Sequence, residues 1–243
     1  MTSQATLVLL TPIGLDAACW EGVELPDVPT RRHEFPGFGS RPRAQRQPTL
    51  ESLADEVADA YPGSLDLVGI SMGAMVAQHL AIRNPSRVRS LVVACAGAAV
   101  DSGAMGRRAD ETEAKGMPGV LDETLQRWFT GGALARHPEH TGVAYARTAL
   151  LGLDARCFAD GWRAIAGHDV RARLSEIDAP TTCIAGTSDP VGTPERLREV
   201  ADGVRNGRLL ELDGPHMIQL EQPAAFAGAV RNHLAWLDDR MAT

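Results

Sequence analysis

Residues 65–76 read LDLVGISMGAMV, and this stretch decides the fold. Its first residues form an apolar run with the length and composition of a buried strand. The run leads into GISMG at 69–73, and the small and apolar residues that follow have the composition of a buried helix. The stretch therefore predicts a strand that turns directly into a helix, with a single serine at the corner.

The pattern G-x-S-x-G at such a corner is typical of a serine nucleophile. A serine in this position adopts a strained backbone that projects its oxygen at the carboxyl edge of the sheet, and the two glycines keep the turn uncrowded. The amino terminus of the next helix favours negative charge that develops nearby. A tight turn that happens to contain a polar residue is the alternative. Because the strand–turn–helix context matches, we interpret Ser71 as the nucleophile.

Length and charge limit the class of protein. The chain has 243 residues, which suits one α/β domain or a domain with an insertion, and 44% of them are apolar, which is enough for a sizeable core. The net charge is −7, and charges of both signs are scattered along the chain. A nucleic-acid partner is therefore not expected, and a small molecule is the expected partner. These totals do not indicate an oligomeric state.

The opening residues and the cysteines point to a cytoplasmic protein. The sequence MTSQATLVLLTPIG lacks a basic start and a long apolar core, so it predicts a strand and not a signal peptide. No window approaches the ~20 apolar residues that a membrane span requires. The cysteines stand far apart without a Cys-x-x-Cys pair, which argues against a zinc site or a disulfide scaffold. They are Cys19, Cys95, Cys157 and Cys183.

Apolar runs alternate with helical patterns along most of the chain, which predicts a mostly parallel sheet of about six strands covered on both faces. The predicted strands are Thr6–Leu10, Thr30–Phe35, Leu65–Ile70, Ser90–Cys95, Thr181–Ala185 and Arg208–Leu212. Thr49 is predicted to cap the first helix. The next helix is predicted at Met72–Ile82, and the last one carries apolar residues three or four apart from Phe226 onwards.

The alternation breaks between about Ala98 and Asp178. This stretch holds helical patterns at Asp122–Phe129 and Thr141–Leu151 and no clear strand. We therefore predict an α/β core at 1–97 and 179–243, with a helical cap inserted at 98–178. Trp128 and Trp162 lie in the cap, where they either pack the insertion or line a pocket beneath it.

A serine needs a base, and the base needs an acid that orients it. Asp189 follows the fifth predicted strand, and His216 follows the sixth after a Gly-Pro pair. Asp189 alternatively caps its own turn. Of the seven histidines, His216 stands out at the carboxyl end of a strand, so we predict a triad in the chain order serine, acid, histidine.

Acyl chemistry also requires N–H donors for an oxyanion. The amide of Met72, the residue after the nucleophile, is one predicted donor. The second is expected in the loop after the first strand, TPIGLDAACW at 11–20. Pro12 has no N–H, so Ile13 is the predicted donor, with the Thr11 hydroxyl next in line.

These residues resemble the α/β-hydrolase superfamily, and the resemblance covers essentially the whole chain. Members commonly have His-Gly where this chain has Thr11-Pro12, and counting back from Trp20 still assigns the oxyanion role to Ile13. Members usually open with a two-strand hairpin, whereas this sequence is expected to go directly to the strand before the oxyanion loop. The polar strand Thr30–Phe35 is then expected at a sheet edge, where charges block edge-to-edge pairing.

Within the superfamily the sequence is similar to 3-oxoadipate enol-lactonases. The similarity lies in LQRWFTGG at 125–132 and in WRAIAGHDVRARLSEIDAPTTCIAGTSDP at 162–190. It implies a small carboxylated enol-lactone as substrate, and the carboxylate requires a cation. Arg127 beside Trp128 is the predicted partner of that carboxylate. Arg147 and Arg163 are rivals, and a solvated helix face is the alternative for each.

The sequence thus predicts a serine hydrolase that cleaves a small ester or lactone through an acyl-enzyme, without a metal or an organic cofactor. A carbon–carbon bond hydrolase, a thioesterase or a cofactor-free haloperoxidase uses the same triad and stays an alternative. A small-molecule receptor with slow turnover is an alternative of a different class.

Overall fold

A computed structural model describes residues 5–25 and 28–241 of the chain. Six parallel strands form one sheet in these residues, in the order β2-β1-β3-β4-β5-β6. The strands are β1 (Thr6–Leu10), β2 (Thr30–His33), β3 (Leu65–Ile70), β4 (Val88–Ala94), β5 (Thr181–Gly186) and β6 (Gly207–Leu212). The predicted parallel sheet is therefore confirmed. The question of an N-terminal hairpin involves residues 1–4, which lie outside the described residues.

The strand β2 lies at the edge of the sheet, as its charged sequence predicts. It pairs with β1 alone, with Arg31 opposite Val8 and His33 opposite Leu10. Arg31 and Arg32 are exposed to solvent, whereas the central strand β3 is buried along its whole length. A strand with charged side chains in solvent is a poor template for pairing with another chain.

Helices cover both faces of the sheet and form the segment above it. They are α1 (Leu50–Ala60), α2 (Met72–Arg83), α3 (Ser102–Trp128), α4 (Gly131–Leu134), α5 (Thr141–Leu151), α6 (Ala155–Ala166), α7 (Pro194–Gly203), α8 (Ile218–Glu221) and α9 (Pro223–Met241). The predicted cap of α1 is confirmed, because the Thr49 hydroxyl accepts from the Ser52 amide at 3.1 Å and the Ser52 hydroxyl accepts from the Thr49 amide at 3.0 Å. In the described ranges, no helix is both long enough and apolar enough to pass through a membrane.

The predicted cap segment 98–178 contains α3 to α6. The helix predicted from Asp122 is the end of α3, which begins twenty residues earlier at Ser102. Its backbone is interrupted at Gly116, where φ is +67° and ψ is 173°. Pro118 follows in the first turn of the second half, where the missing N–H costs no hydrogen bond. The exact division of the chain into core and cap stays a prediction.

Two of the buried histidines away from the triad, His168 and His233, are held neutral. His168 contacts His79 (Nδ1 to Nε2, 3.3 Å) and the carbonyl of Gly97 (3.0 Å), and His233 contacts the Thr182 hydroxyl at 2.8 Å. Loss of hydration lowers the pKa of each from 6.5 to about 4. The charged form is therefore disfavoured in the folded state.

These histidines predict a loss of stability in acid. Between pH 6.5 and about 4 the unfolded chain takes up protons that the folded chain does not, so the free energy of unfolding falls as the pH falls through this window. The pKa difference corresponds to roughly 3 kcal/mol for each histidine. Urea unfolding at about pH 7.5 and about pH 4.5 measures the effect.

His168→Gln and His233→Gln should each reduce that difference between the two pH values. Exposed His137→Gln is the matched control and should leave it unchanged. If both buried variants keep the wild-type pH dependence, other groups cause the acid sensitivity.

Candidate active site

Ser71 occupies a strained corner between β3 and α2. Its φ is 53° and its ψ is −122°, in a region that non-glycine residues rarely adopt. The Ser71 amide donates to the carbonyl of Ala94 on the neighbouring strand β4 at 2.9 Å, which holds the corner in place. The geometry is that of the predicted strand–turn–helix corner.

The two glycines beside Ser71 are required by close backbone packing. A Cβ on Gly69 would lie 2.4 Å from the carbonyl oxygen of Gly73, and a Cβ on Gly73 would lie 2.3 Å from the carbonyl oxygen of Leu10. Real Cβ atoms essentially never approach other atoms so closely. The physical reason for the G-x-S-x-G pattern is therefore steric on both sides, and it involves the loop after β1.

The structure brings Ser71, His216 and Asp189 together at the carboxyl ends of β3, β6 and β5. The Ser71 Oγ lies 3.0 Å from His216 Nε2, and His216 Nδ1 lies 2.9 Å from Asp189 Oδ2. All three residues are buried. An ionised carboxylate only accepts hydrogen bonds, so Nδ1 donates to Asp189 and Nε2 is left to accept from the Ser71 hydroxyl.

Asp189 accepts a hydrogen bond within its own turn and contacts His216 at the same time. Its Oδ1 accepts from the Val191 amide at 2.7 Å, while Oδ2 contacts the imidazole. Burial opposes ionisation of Asp189, but His216 and the amides of Val191 and Gly192 outweigh it and lower the pKa of the carboxyl below its usual value. The turn-capping alternative and the contact with histidine therefore coexist.

The predicted oxyanion donors lie on either side of the nucleophile. Ile13 lines the same cavity as Ser71, in the loop after β1, and Met72 begins α2. Among acceptors in residues 5–25 and 28–241, neither the Ile13 nor the Met72 amide has a hydrogen-bond partner. Both N–H groups are thus available to a ligand. The Thr11 hydroxyl is buried without a partner in the same residues, and Thr11 does not line the cavity.

The side chain of Cys95 also lies close to Asp189 and His216. Their potential ligand atoms lie within 4.8 Å of one another, an arrangement that a metal ion could use. Burial, and then the charge of Asp189, raises the pKa of the Cys95 thiol well above its usual value, which disfavours the thiolate that metals bind. Both imidazole nitrogens of His216 already have partners. These contacts favour a hydrogen-bonded triad over a metal site.

A cavity of about 230 Å³ opens beside the triad, between the sheet edge and the predicted cap. Ser71 and His216 form its floor, and Trp128 and Trp162 contribute to its walls. Its volume lies below the range typical of drug-sized ligands, which favours a small molecule. A second cavity, of about 370 Å³, is lined by residues at the amino ends of the strands and is remote from the triad.

The structure distinguishes the arginines that the sequence offers as partners of a substrate carboxylate. Arg127 lines the cavity together with Trp128. Arg147 pairs with Glu139 at 3.0 Å, and Arg163 pairs with Glu113 at 2.8 Å, and neither lines this cavity. Arg127 is thus the predicted arginine that the structure places beside the cavity, and its role in binding stays a prediction.

Sequence reasoning missed two of the three arginines on the cavity wall, Arg108 and Arg196. Arg108 lines the cavity with three other residues of one helix face, spaced at 101, 104, 105 and 108. This spacing is the signal that could have revealed the face, because residues three or four apart share one side of a helix. It was missed because no helix was predicted before Asp122.

Comparison with known proteins agrees with this geometry. Residues 7–229 match the model of the "Alpha/beta hydrolase family". The 3-oxoadipate enol-lactonase 2 of Acinetobacter baylyi is 33% identical over 163 residues, which make up 67% of this chain and 60% of that relative. The 3-oxoadipate enol-lactonase 1 of the same organism is 26% identical over 231 residues, or 90% of this chain and 85% of the relative.

A solved structure shows the same likeness in three dimensions. The enol-lactonase from Burkholderia xenovorans LB400 superposes with a TM-score of 0.90 at 26% identity, covering 96% of this chain and 92% of the other. These similarities support a hydrolase function. With its parallel sheet, its serine corner and a family match over residues 7–229, the chain belongs to the α/β-hydrolase family.

Proposed function

We propose that the chain is a serine hydrolase that cleaves a small carboxylic ester or lactone through an acyl-enzyme. The observation that carries the proposal is the continuous contact from Ser71 through His216 to Asp189, with distances of 3.0 and 2.9 Å. A nucleophile, its base and an acid that orients the base are the minimal set for this chemistry. The cavity above them gives a small substrate access to the serine.

In the proposed reaction, Ser71 Oγ bonds to the carbonyl carbon while His216 Nε2 takes the hydroxyl proton. The tetrahedral intermediate collapses, the bond to the alcohol oxygen breaks, and His216 returns the proton to that oxygen. Water then attacks the acyl-enzyme, loses a proton to His216, and releases the acid while Ser71 regains its proton. Asp189 holds the imidazole tautomer and stabilises the imidazolium during both halves.

The oxyanion that forms on the carbonyl oxygen is assigned to the amides of Ile13 and Met72. Both lack an acceptor in the described parts of the chain, and the Met72 amide belongs to the first residue of α2, where the helix dipole favours negative charge. Donors of this kind act strongly because they are already oriented before the charge appears.

The substrate that the comparisons favour is an enol-lactone of the 3-oxoadipate type. The names of two relatives and of a superposing structure refer to enol-lactonases. A carboxylate on the substrate fits the charge of the cavity, because Arg127 lines it beside Trp128. In a lactone the alcohol stays attached to the acyl chain, so ring opening yields a single product.

Initial rates on simple substrates test the hydrolase proposal and its alternatives. We expect rapid release of p-nitrophenolate from a short-chain ester and ring opening of a γ-lactone. Rates should be lower on a matched thioester and negligible on a vinylogous 1,5-diketone, the substrate type of carbon–carbon hydrolases. Preference for either of these would name the alternative. Bromide-dependent halogenation in the presence of a peracid would instead favour a haloperoxidase. Tight binding of a small molecule with slow turnover would favour a receptor.

We also propose that the protein works in the cytoplasm. The four cysteines are free and buried in the structure, which suits a reducing compartment. Diagonal electrophoresis of protein from unstressed cells should show no disulfide, and a disulfide would contradict this location.

A further inference from the structure

The wall of the active-site cavity carries an excess of positive charge. Three arginines line it, Arg108, Arg127 and Arg196, and Asp101 is the acidic residue among its lining. The Asp101 carboxylate already caps α3, where its Oδ1 accepts from the Ala104 amide at 2.9 Å. A cavity with this lining favours a ligand of negative charge.

Two of the three arginines are already engaged by the protein. Arg127 pairs with Glu123 one turn earlier on α3 and contacts the Thr124 hydroxyl at 3.3 Å. Arg196 is exposed at the rim and donates to the Val191 carbonyl at 3.1 Å. A hydrated or neutralised cation gains little from a further anion.

Arg108 differs from both, because within residues 5–25 and 28–241 its guanidinium has neither a carboxylate nor a hydrogen-bond partner, whereas Arg127 pairs with Glu123 and Arg196 donates to a carbonyl. It is half-buried, and its guanidinium carbon lies 5.1 Å from the centre of the Trp162 ring. Loss of hydration lowers its pKa, although an arginine stays charged at neutral pH. A half-buried charge without a counter-ion is costly, and the Trp162 ring lies against the guanidinium on the cavity wall.

The neighbouring cation adds to this imbalance. Burial lowers the pKa of Arg127 first, and repulsion from Arg108 lowers it further. Glu123 is the carboxylate paired with Arg127, and its side chain is largely exposed. Glu111 also attracts both guanidinium groups, but it is exposed and pairs with Lys115. A ligand carboxylate placed between the two guanidinium groups would therefore relieve their repulsion more directly than these solvated carboxylates do.

We propose that Arg108, and not Arg127, is the main residue that recognises the carboxylate of the substrate. The Arg108 guanidinium, packed beside the Trp162 ring, would donate two parallel N–H···O bonds to the carboxylate oxygens. The inference rests on the proposed function and refines its substrate class. The substrate is a small lactone or ester with a carboxylate at the end away from the scissile carbonyl. Arg127 gives secondary support to the same group.

The experiment compares two saturated γ-lactones that differ in one substituent, a carboxymethyl group in one and an ethyl group in the other. Arg108→Met keeps an unbranched apolar stem beside Trp162 and removes the guanidinium with its charge. We expect it to lower kcat/KM for the carboxymethyl lactone by ~10- to 100-fold, through KM, and to change the ethyl lactone less than ~3-fold. Arg108→Lys should recover only part of the loss, because it lacks the planar fork.

Arg107→Ala is the matched control, since the exposed side chain of Arg107 precedes Arg108 on the same helix and does not line the cavity. It should leave both substrates unchanged. Equal losses on both lactones in Arg108→Met would indicate a structural role and overturn the inference. A selective loss confined to Arg127→Ala would transfer the role to that residue and also overturn it.

A binding measurement separates this inference from the hydrolase proposal. Isothermal titration of glutarate into the Ser71→Ala protein requires no turnover. Binding that is lost when Arg108→Met is added supports the anion site even if no ester is hydrolysed. Unchanged binding in the double variant would overturn it even if the wild type proves an efficient esterase.

Discussion

Ser71→Ala should lower kcat for ester or lactone hydrolysis by ~10³-fold or more, because the triad members act as a unit and no other nucleophile replaces the hydroxyl. The loss should appear in kcat and leave folding intact, since the substitution removes one oxygen whose partner, His216, keeps its second contact with Asp189. Steady-state rates and the thermal unfolding midpoint measure the two effects on the same preparation.

Ser175→Ala is the control, because Ser175 is exposed and belongs to a turn outside the cavity. It should keep wild-type kcat. A phosphonate ester should add its mass to the peptide that contains Ser71, and His216→Ala should prevent the labelling. Label on another serine, or near-normal turnover by Ser71→Ala, would rule out the proposed mechanism.

Gly73→Ala should destabilise the fold by about 3 kcal/mol or more, at the upper end of the usual cost of overpacking. The new methyl group would meet the carbonyl oxygen of Leu10 at 2.3 Å and that of Thr11 at 2.7 Å. Backbone atoms of a buried strand cannot move aside as a flexible side chain can. Urea unfolding and the yield of soluble protein measure the loss.

Gly106→Ala is the matched control within α3, because a Cβ there has no neighbour within 4 Å among the described residues. It should be neutral or raise the free energy of unfolding by up to about 1 kcal/mol, the usual gain for alanine over glycine in a helix. If the Gly73→Ala protein were as stable as Gly106→Ala, the backbone at Leu10 and Thr11 would have to shift at little cost in free energy. The corner would then not be held by the loop after β1.

The sheet and the triad were predictable because local sequence patterns determine them. The strand Leu65–Ile70 was predicted with its observed bounds, since a short apolar run ending at glycine has few other structures available to it. The triad follows from the parallel sheet, because residues after the carboxyl ends of neighbouring strands meet at one edge. Asp189 and His216 are remote in sequence from Ser71 and meet it for that reason.

The helices of segment 98–178 were harder to predict, because they carry many charges. The first half of α3 holds five acidic or basic residues between Arg107 and Glu113, which obscured its helical period. The role of Arg108 depends on which carboxylates reach which arginines. Glu113 pairs with Arg163 and Glu123 with Arg127, and neither pairing can be read from sequence alone.

Hydrogen bonds join the end of α3 and the residues after it to the loop that carries His216 and to α8. The Met217 amide donates to the Trp128 carbonyl at 2.9 Å, and the Glu221 carboxylate accepts from the Thr130 amide and hydroxyl at 3.0 and 2.6 Å. The predicted cap is thus anchored one residue from His216, so a rigid-body swing of this end would disturb the 3.0 Å contact between His216 and Ser71. We therefore expect substrate to enter by local movement elsewhere around the cavity, while the contact between His216 and Ser71 stays in place.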